Sequence, residues 1–306
     1  METTNTQPLL AIVGPTAVGK TALALQLAEL LNAEIISADS RQIYRFMDIG
    51  TAKPSLAERN LVPHHLIDII EPDDDFSLAR YLQLARSAIN EVASRGRLPM
   101  LVGGTGQYLV ALLEGWNVPE VAPLPDLRAA LEREAAEHGP DSLHARLAKI
   151  DPAAAANIPA TNVRRVIRAL EVFTATGTPI STQQTRTPPP YQIRTIWLTL
   201  PAPTLYARID QRVDAMVAAG LVDEVRSLVE AGYGWHLSAM SSLGYREFQP
   251  YFAETSSLAE AIERLKFNTH GFARGQAAWF RRLPNLTQLP ADAHDLFAQA
   301  LLGSLF

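Results

Sequence analysis

The sequence predicts an α/β fold, a parallel sheet flanked by helices with an inserted all-helical domain. Three observations carry that expectation. Gly14–Thr21 reads G-P-T-A-V-G-K-T between an apolar run and a helical pattern; short apolar runs alternate with helical stretches on either side; and near residue 120 the rhythm changes to proline-punctuated helices.

In chain order, Leu9–Val13, Glu34–Ile36, Met100–Val102 and Ile193–Leu200 read as buried strands, each brief and bounded by Gly, Pro or polar residues. Helices are expected at Thr21–Leu31, at Leu78–Arg95 between Ser77 and Gly96, at Ala207–Val229 and at Leu258–Arg281. Within the changed region the pattern gives Asp126–His138, Ser142–Ile150 and Thr161–Thr174 closing on Gly177, with turns at Asp151-Pro152 and Pro188–Pro190. The expected organisation is a P-loop NTPase-like core from 1–120 and 193–306, and a helical insertion at 121–192. Ligands of such a sheet collect at the carboxyl ends of its strands.

Composition narrows the chemistry. The 306 residues are 47% hydrophobic, ample for a packed core, and include no Cys, which excludes disulfides, thiolate chemistry and cysteine-held zinc. Any metal must take oxygen or His ligands, and magnesium fits. No basic-then-apolar start looks like a signal peptide, and no apolar run approaches the roughly 20 residues of a membrane helix, so a cytoplasmic protein without membrane contact is expected. A net charge of −5 argues against indiscriminate nucleic-acid binding, yet Arg164, Arg165 and Arg168 cluster without an acid, as do the five basic residues from Arg264 to Arg282. On charge alone these clusters fit a solvated helix face as well as a phosphate-binding one.

Gly14, Pro15, Thr16, Ala17, Val18, Gly19, Lys20 and Thr21 form the phosphate loop. Backbone N–H groups and a helix N-terminus converge there, Lys20 adds a point charge, and Thr21 offers its hydroxyl to a phosphate-bridging Mg2+. Asp39, in I-S-A-D-S-R-Q-I-Y after the second strand, can ligate magnesium, cap its turn or accept a proton from a nucleophile. D-I-G-T-A-K-P, at Asp48–Pro54, suggests a second loop near the ligand, with Lys53 in it. The third strand ends in L-V-G-G-T-G-Q-Y, whose glycines permit close backbone approach, with Thr105 at the mouth of the site. An ordinary phosphate-loop ATPase carries an Asp at such a strand end, so the ATPase reading weakens. His64 and His65 diverge as neighbours and read as structural hydrogen bonders.

Taken together, these motifs, with R-V-I-R-A-L-E-V (Arg165–Val172), L-G-Y-R-E (Leu243–Glu247) and W-F-R-R (Trp279–Arg282), closely resemble the bacterial tRNA dimethylallyltransferase family over nearly the whole chain. The resemblance implies transfer of a dimethylallyl group from dimethylallyl diphosphate to the exocyclic amine of the adenosine just 3′ of the anticodon, with Mg2+ as cofactor and the tRNA anticodon stem-loop as partner. It implies Asp39 as general base, Thr105 as an orienting hydroxyl, Lys20 as the charge on the leaving group, and Arg212, with Arg208 nearby, beside the diphosphate. For tRNA contact it points to Asp39, Ser40, Arg41, Gln42 and Thr105, to Arg128, to Arg164, Arg165, Val166, Ile167 and Arg168, and to Gly244, Tyr245 and Arg246. His270 and Gly275 stand where the family usually has arginines, and Pro159–Asn162 replaces a segment usually close to H-P-N-D.

Three rivals share parts of this pattern. Isopentenyl transfer to free adenine nucleotides would use the same loop and Asp39, but needs no helical arm or arginine clusters. A P-loop small-molecule kinase would put ATP on the loop. A non-catalytic nucleotide-gated RNA-binding module would tolerate loss of Asp39. A monomer is expected, since no apolar seam stands out.

Overall fold

The computed structural model describes residues 6–292. Six parallel strands, β1 (Gln7–Val13), β2 (Ala33–Ala38), β3 (His64–His65), β4 (Leu98–Gly103), β5 (Tyr191–Thr199) and β6 (Leu286–Pro290), form one sheet in the order β3-β2-β4-β1-β5-β6. Leu9 to Val13 are wholly buried, as expected of a strand covered on both faces. The four sequence-predicted strands are present, each extended at one or both ends. The edge strands β3 and β6 were not anticipated: two residues are too few for a periodicity, and Leu286–Pro290 keeps one buried side chain.

The helices are α1 (Lys20–Leu31), α2 (Leu56–Leu61), α3 (Leu78–Ser94), α4 (Gly106–Leu113), α5 (Pro125–His138), α6 (Pro140–Ile150), α7 (Pro152–Asn157), α8 (Val163–Thr176), α9 (Ile180–Gln183), α10 (Ala202–Ala218), α11 (Leu221–Glu230), α12 (Gln249–Phe252) and α13 (Leu258–Phe280). The single helix expected over Ala207–Val229 is two. Gly220 sits at φ 101°, a left-handed conformation that glycine alone adopts cheaply, and the chain restarts there as α11. α13 opens on a capping box, Ser257 with Glu260, and packs against α10 and α4.

The chain forms two compact units. One comprises 6–77, 81–114 and 189–292 and holds the whole sheet. The other comprises 78–80 and 115–188 and holds α5 to α9; the sequence put these limits at 121 and 192. Its core is Leu131, Leu143, Leu147, Val166 and Leu170, and its two connecting segments meet through Asn117 N–H to Thr185 O (2.9 Å) and Thr187 N–H to Gly115 O (2.9 Å). Among the described residues no helix is long and apolar enough to cross a membrane.

Candidate active site

The sheet order brings three strand ends together. β1 lies beside β4 and β4 beside β2, with Val13 and Ala38 both in register with Gly103. The loops leaving these strands carry the phosphate motif, Asp39 and Gly104-Thr105, so motifs up to 90 residues apart meet at one edge, as open parallel sheets dictate. Gly103 allows the approach: a Cβ there would lie 2.2 Å from the Ala38 carbonyl oxygen.

The phosphate loop passes through left-handed backbone at Ala17 (φ 63°) and Gly19 (φ 106°) before α1 begins at Lys20. Such conformations turn successive N–H groups into one concavity that suits an anion. The Lys20 ammonium folds over the loop and donates to the carbonyls of Gly14 (3.0 Å) and Pro15 (2.9 Å). Burial pushes its pKa down to about 8; the Asp39 charge opposes this and Arg212 adds to it. Two neutral carbonyls under-compensate a desolvated cation, which leaves Lys20 poised for an anionic ligand.

One oxygen of Asp39, Oδ1, accepts the Arg41 N–H at 2.9 Å. The turn-capping role is therefore present, and the carboxylate keeps capacity to accept a proton. Thr105 Oγ1 accepts the Ser40 N–H (2.9 Å) and donates to Ser40 Oγ (3.3 Å), which fixes the residue after Asp39. Gln42 joins Ser37 to the next loop, accepting from Ser37 Oγ (3.1 Å) and donating to Ala52 O (3.2 Å), while Arg41 Nη1 reaches Ser238 O (2.8 Å).

An open pocket of about 1080 Å³, its mouth included, gathers Thr16, Lys20, Thr21, Asp39 and Arg212. Apolar side chains complete the wall, among them Ile209, Val213, Met216, Leu265 and Phe272. The second loop contributes Gly50, Thr51, Ala52 and Pro54, but not Lys53 as expected. Lys53 is 1% exposed, tied to Asp48 (2.7 Å), Asp68 (2.5 Å) and Tyr44 O (2.6 Å), so it braces the loop from behind. His65 pairs with Glu34 (2.7 Å) and His64 with Val62 O (2.7 Å), the structural roles expected, although His64 also lines the pocket.

Gly244 lines the pocket too, at φ 97° and packed so tightly on the Gly50 carbonyl that a Cβ would lie 2.9 Å from it. Tyr245, expected at a nucleic-acid face, is fully buried; its hydroxyl donates to Glu224 (2.6 Å), which also accepts the N–H groups of Asp48, Ile49 and Gly50. Arg246 keeps about half its side chain exposed, with Nε on the buried Glu247 (2.8 Å). Neither Glu224, Glu247 nor Gln276, a buried amide joining the phosphate loop to Gly104, was singled out from the sequence. Helical Glu and Gln default to a solvated face, and only their contacts in the fold reveal these three.

In the helical unit, Glu171 has no exposed side chain and binds Arg128 through Nε (2.7 Å) and Nη2 (2.9 Å), Arg168 through Nη1 (2.5 Å) and the Leu124 N–H (2.8 Å). Burial would raise its pKa, but hydrogen bonds from Arg128, the Leu124 N–H and Arg168 hold it at about 2. Arg164 and Arg165 are exposed. Val166 (0%) and Ile167 (4%) belong to the unit's core, so the segment 164–168 does not face solvent as a whole: helical periodicity turns those two inward. Asn162 caps α8 in the altered segment, accepting from Arg165 N (3.3 Å). His270 pairs with Asp210 (2.8 Å) and stacks on Tyr206, and Gly275 faces open space.

Oxygen donors from Thr21 and Asp39 share the pocket, which fits a magnesium ion that takes few protein ligands and completes its shell with phosphate and water. No group of three or more His, Cys, Asp or Glu residues able to hold a metal occurs among the described residues.

A phosphate loop at the end of β1, with Asp39 and Gly104-Thr105 on the neighbouring strand ends, defines a P-loop protein. Comparison with known proteins narrows that class. The IPP transferase family model matches residues 42–283 and the isopentenyl transferase model residues 7–63. The chain belongs to the IPP transferase family. It is 67% identical to the tRNA dimethylallyltransferase of Roseiflexus castenholzii over 96% of both chains, and 62% identical to that of Chloroflexus aggregans over 94% of this chain and 97% of the relative. The crystal structure of the tRNA isopentenylpyrophosphate transferase of Bacillus halodurans matches with a TM-score of 0.72 at 42% identity, covering 98% of this chain and 97% of that one. A eukaryotic dimethylallyltransferase captured acting on tRNA matches with a TM-score of 0.83 at 28% identity, over 96% of this chain and 78% of that one.

Proposed function

We propose that this chain is a tRNA dimethylallyltransferase that moves a dimethylallyl group from its diphosphate to the exocyclic amine of the adenosine 3′ to the anticodon. The observation that carries this reading is the meeting of an under-compensated Lys20 with Asp39 in a pocket that also has an apolar wall of Ile209, Val213, Met216, Leu265 and Phe272. A phosphoryl-transfer site has no need of that wall, whereas a five-carbon chain does.

The loop N–H groups, Lys20 and Arg212 hold the diphosphate and stabilise the charge that grows on it as the allylic C–O bond breaks. Its electron pair leaves with the diphosphate. The adenine nitrogen, presented by a nucleotide flipped out of its stack, forms the new C–N bond, and Asp39 takes the proton it sheds. Thr105 keeps Asp39 aimed by holding Ser40. Magnesium, held through Thr21, would add neutralising charge on the phosphate oxygens. Arg164 and Arg165 supply exposed cations for tRNA phosphates, with Arg128 and Arg168 beside them in the same helical unit. The enzyme is expected to work as a monomer in the cytoplasm.

The test is incubation with unmodified tRNA, labelled dimethylallyl diphosphate and magnesium, with AMP and ATP controls. Label in RNA alone is expected. Label in AMP would support the free-nucleotide enzyme, phosphate transferred from ATP to a small alcohol would support a kinase, and RNA binding without transfer would leave a binding module.

A further inference from the structure

One side chain joins the two halves of this site across 260 residues of sequence. Gln276, on α13 and only 5% exposed, accepts the Thr16 N–H of the phosphate loop through Oε1 (2.9 Å) and donates to the Gly104 carbonyl through Nε2 (2.8 Å). Gly104 precedes Thr105, whose hydroxyl holds Ser40 beside Asp39. A single planar amide thus completes a path from the leaving-group cradle to the base: Thr16, Gln276, Gly104-Thr105, Ser40-Asp39. Gly104 is fitted to it. A Cβ at Gly104 would lie 2.4 Å from the Gln276 amide nitrogen, while its other neighbours stay at 3.7 Å.

We propose that Gln276 is a positioning residue that sets the spacing between the diphosphate cradle and Asp39. A buried amide with both ends satisfied has one orientation, since rotating it would set its NH2 against the Thr16 N–H and its oxygen against the Gly104 carbonyl. Reaction requires the breaking C–O bond and the incoming nitrogen to line up closely, and among the described residues the two segments that hold them share no other side chain making hydrogen bonds to both. The inference rests on the proposed reaction for its meaning, and on the hydrogen bonds alone for its geometry.

The experiment is a double-mutant cycle on the full chain with Gly104→Ala and Gln276→Ala, read by pyrophosphate titration and by prenyl transfer to tRNA. Each single variant should weaken pyrophosphate binding and lower kcat by about tenfold, the scale of one or two lost neutral hydrogen bonds, with tRNA affinity unchanged within twofold. Gly104→Ala acts by pushing the amide aside, so in the Gln276→Ala background, where the room is restored, it should add less than a twofold effect. Full additivity, or loss of tRNA affinity matching the loss of kcat, overturns the proposal. Should Gln276→Ala unfold, Gln276→Val, which ends short of the atom that a Gly104 Cβ would meet, carries the same cycle. The two readings fail separately. Coupling seen in the pyrophosphate titration of a protein that never labels RNA sinks the proposed reaction alone; additivity in a protein that labels RNA sinks the positioning role alone.

Discussion

Lys20 in the sheet-bearing unit and Glu171 in the helical unit are both charges withdrawn from water, and they have been given opposite company. Glu171 receives two guanidinium groups and a backbone N–H, so its charge is over-compensated and its pKa sits at about 2. Lys20 receives two carbonyl oxygens and an Asp39 charge opposed by Arg212, and its pKa falls to about 8. A structural charge is completed by the protein; a binding charge is left short of one partner, which the ligand supplies. On the proposed function, the carboxylate therefore contributes to folding and the ammonium to affinity.

The largest effects should fall on turnover. Lys20→Met removes the charge proposed to meet the leaving group, and kcat should drop by about 10²–10³-fold, with the melting temperature held or raised because a poorly solvated cation has gone. Asp39→Ala should lower kcat by about 10²–10⁴-fold while tRNA affinity stays within a few-fold. Single-turnover kinetics and calorimetry check both. A Lys20→Met protein that melts much lower would make Lys20 a structural charge like Glu171 and erase the contrast.

Glu171→Gln is the converse. Removing the carboxylate takes the buried anion away from Arg128 and Arg168, whose side chains are 39% and 30% exposed and can partly rehydrate, so about 3 kcal/mol of stability should be lost, the lower end for a broken buried pair. Chemical denaturation checks this. Unchanged stability would mean the cluster is not the unit's anchor.

The contrast also explains how much could be read from sequence. The phosphate loop, Asp39 and the Gly103-Gly104-Thr105 turn were legible because each is a contiguous motif at a strand end, and the parallel-sheet rule alone brings them together. The helical insertion showed in its proline-punctuated helical patterns and its lack of strand pattern. Glu171 lay in plain view inside R-V-I-R-A-L-E-V, yet nothing local distinguishes a Glu that anchors two arginines from one on a solvated face. Glu224, Glu247 and Gln276 were hidden for the same reason, their partners lying up to 260 residues away. The break at Gly220 and the short edge strands fell below the length at which periodicity carries information.

Opposite compensation predicts opposite pH limits. Glu171 stabilises the fold fully above its ordinary carboxyl pKa of 4.5 and loses that contribution as pH falls toward about 2, so acid should remove about 3 kcal/mol. Lys20 must be protonated to hold an anion, so pyrophosphate affinity should be level below pH 8 and weaken by up to tenfold per unit above it, until the higher pKa of the bound state is reached. Titration calorimetry across pH 6.5–9.5 measures the second limb, and Lys20→Met should flatten it. A slope that persists in Lys20→Met would assign the titration to another group.

The smallest expected effect separates arginines that the protein completes from those it leaves exposed. Arg164 and Arg165 project from the start of α8, whereas Arg128 and Arg168 already share Glu171. Each phosphate contact releases about 0.7–0.9 counterions, so Arg164→Ala with Arg165→Ala should flatten the slope of log affinity against log salt for tRNA by about 1.5. The melting temperature should hold, since neither side chain is buried. Arg168→Ala should do the reverse, lowering the melting temperature through Glu171 and changing the salt slope by less than one contact. Filter binding from 50 to 300 mM salt measures both, and equal slopes for the two variants would mean that a guanidinium committed to a buried carboxylate grips phosphate as well as a solvated one.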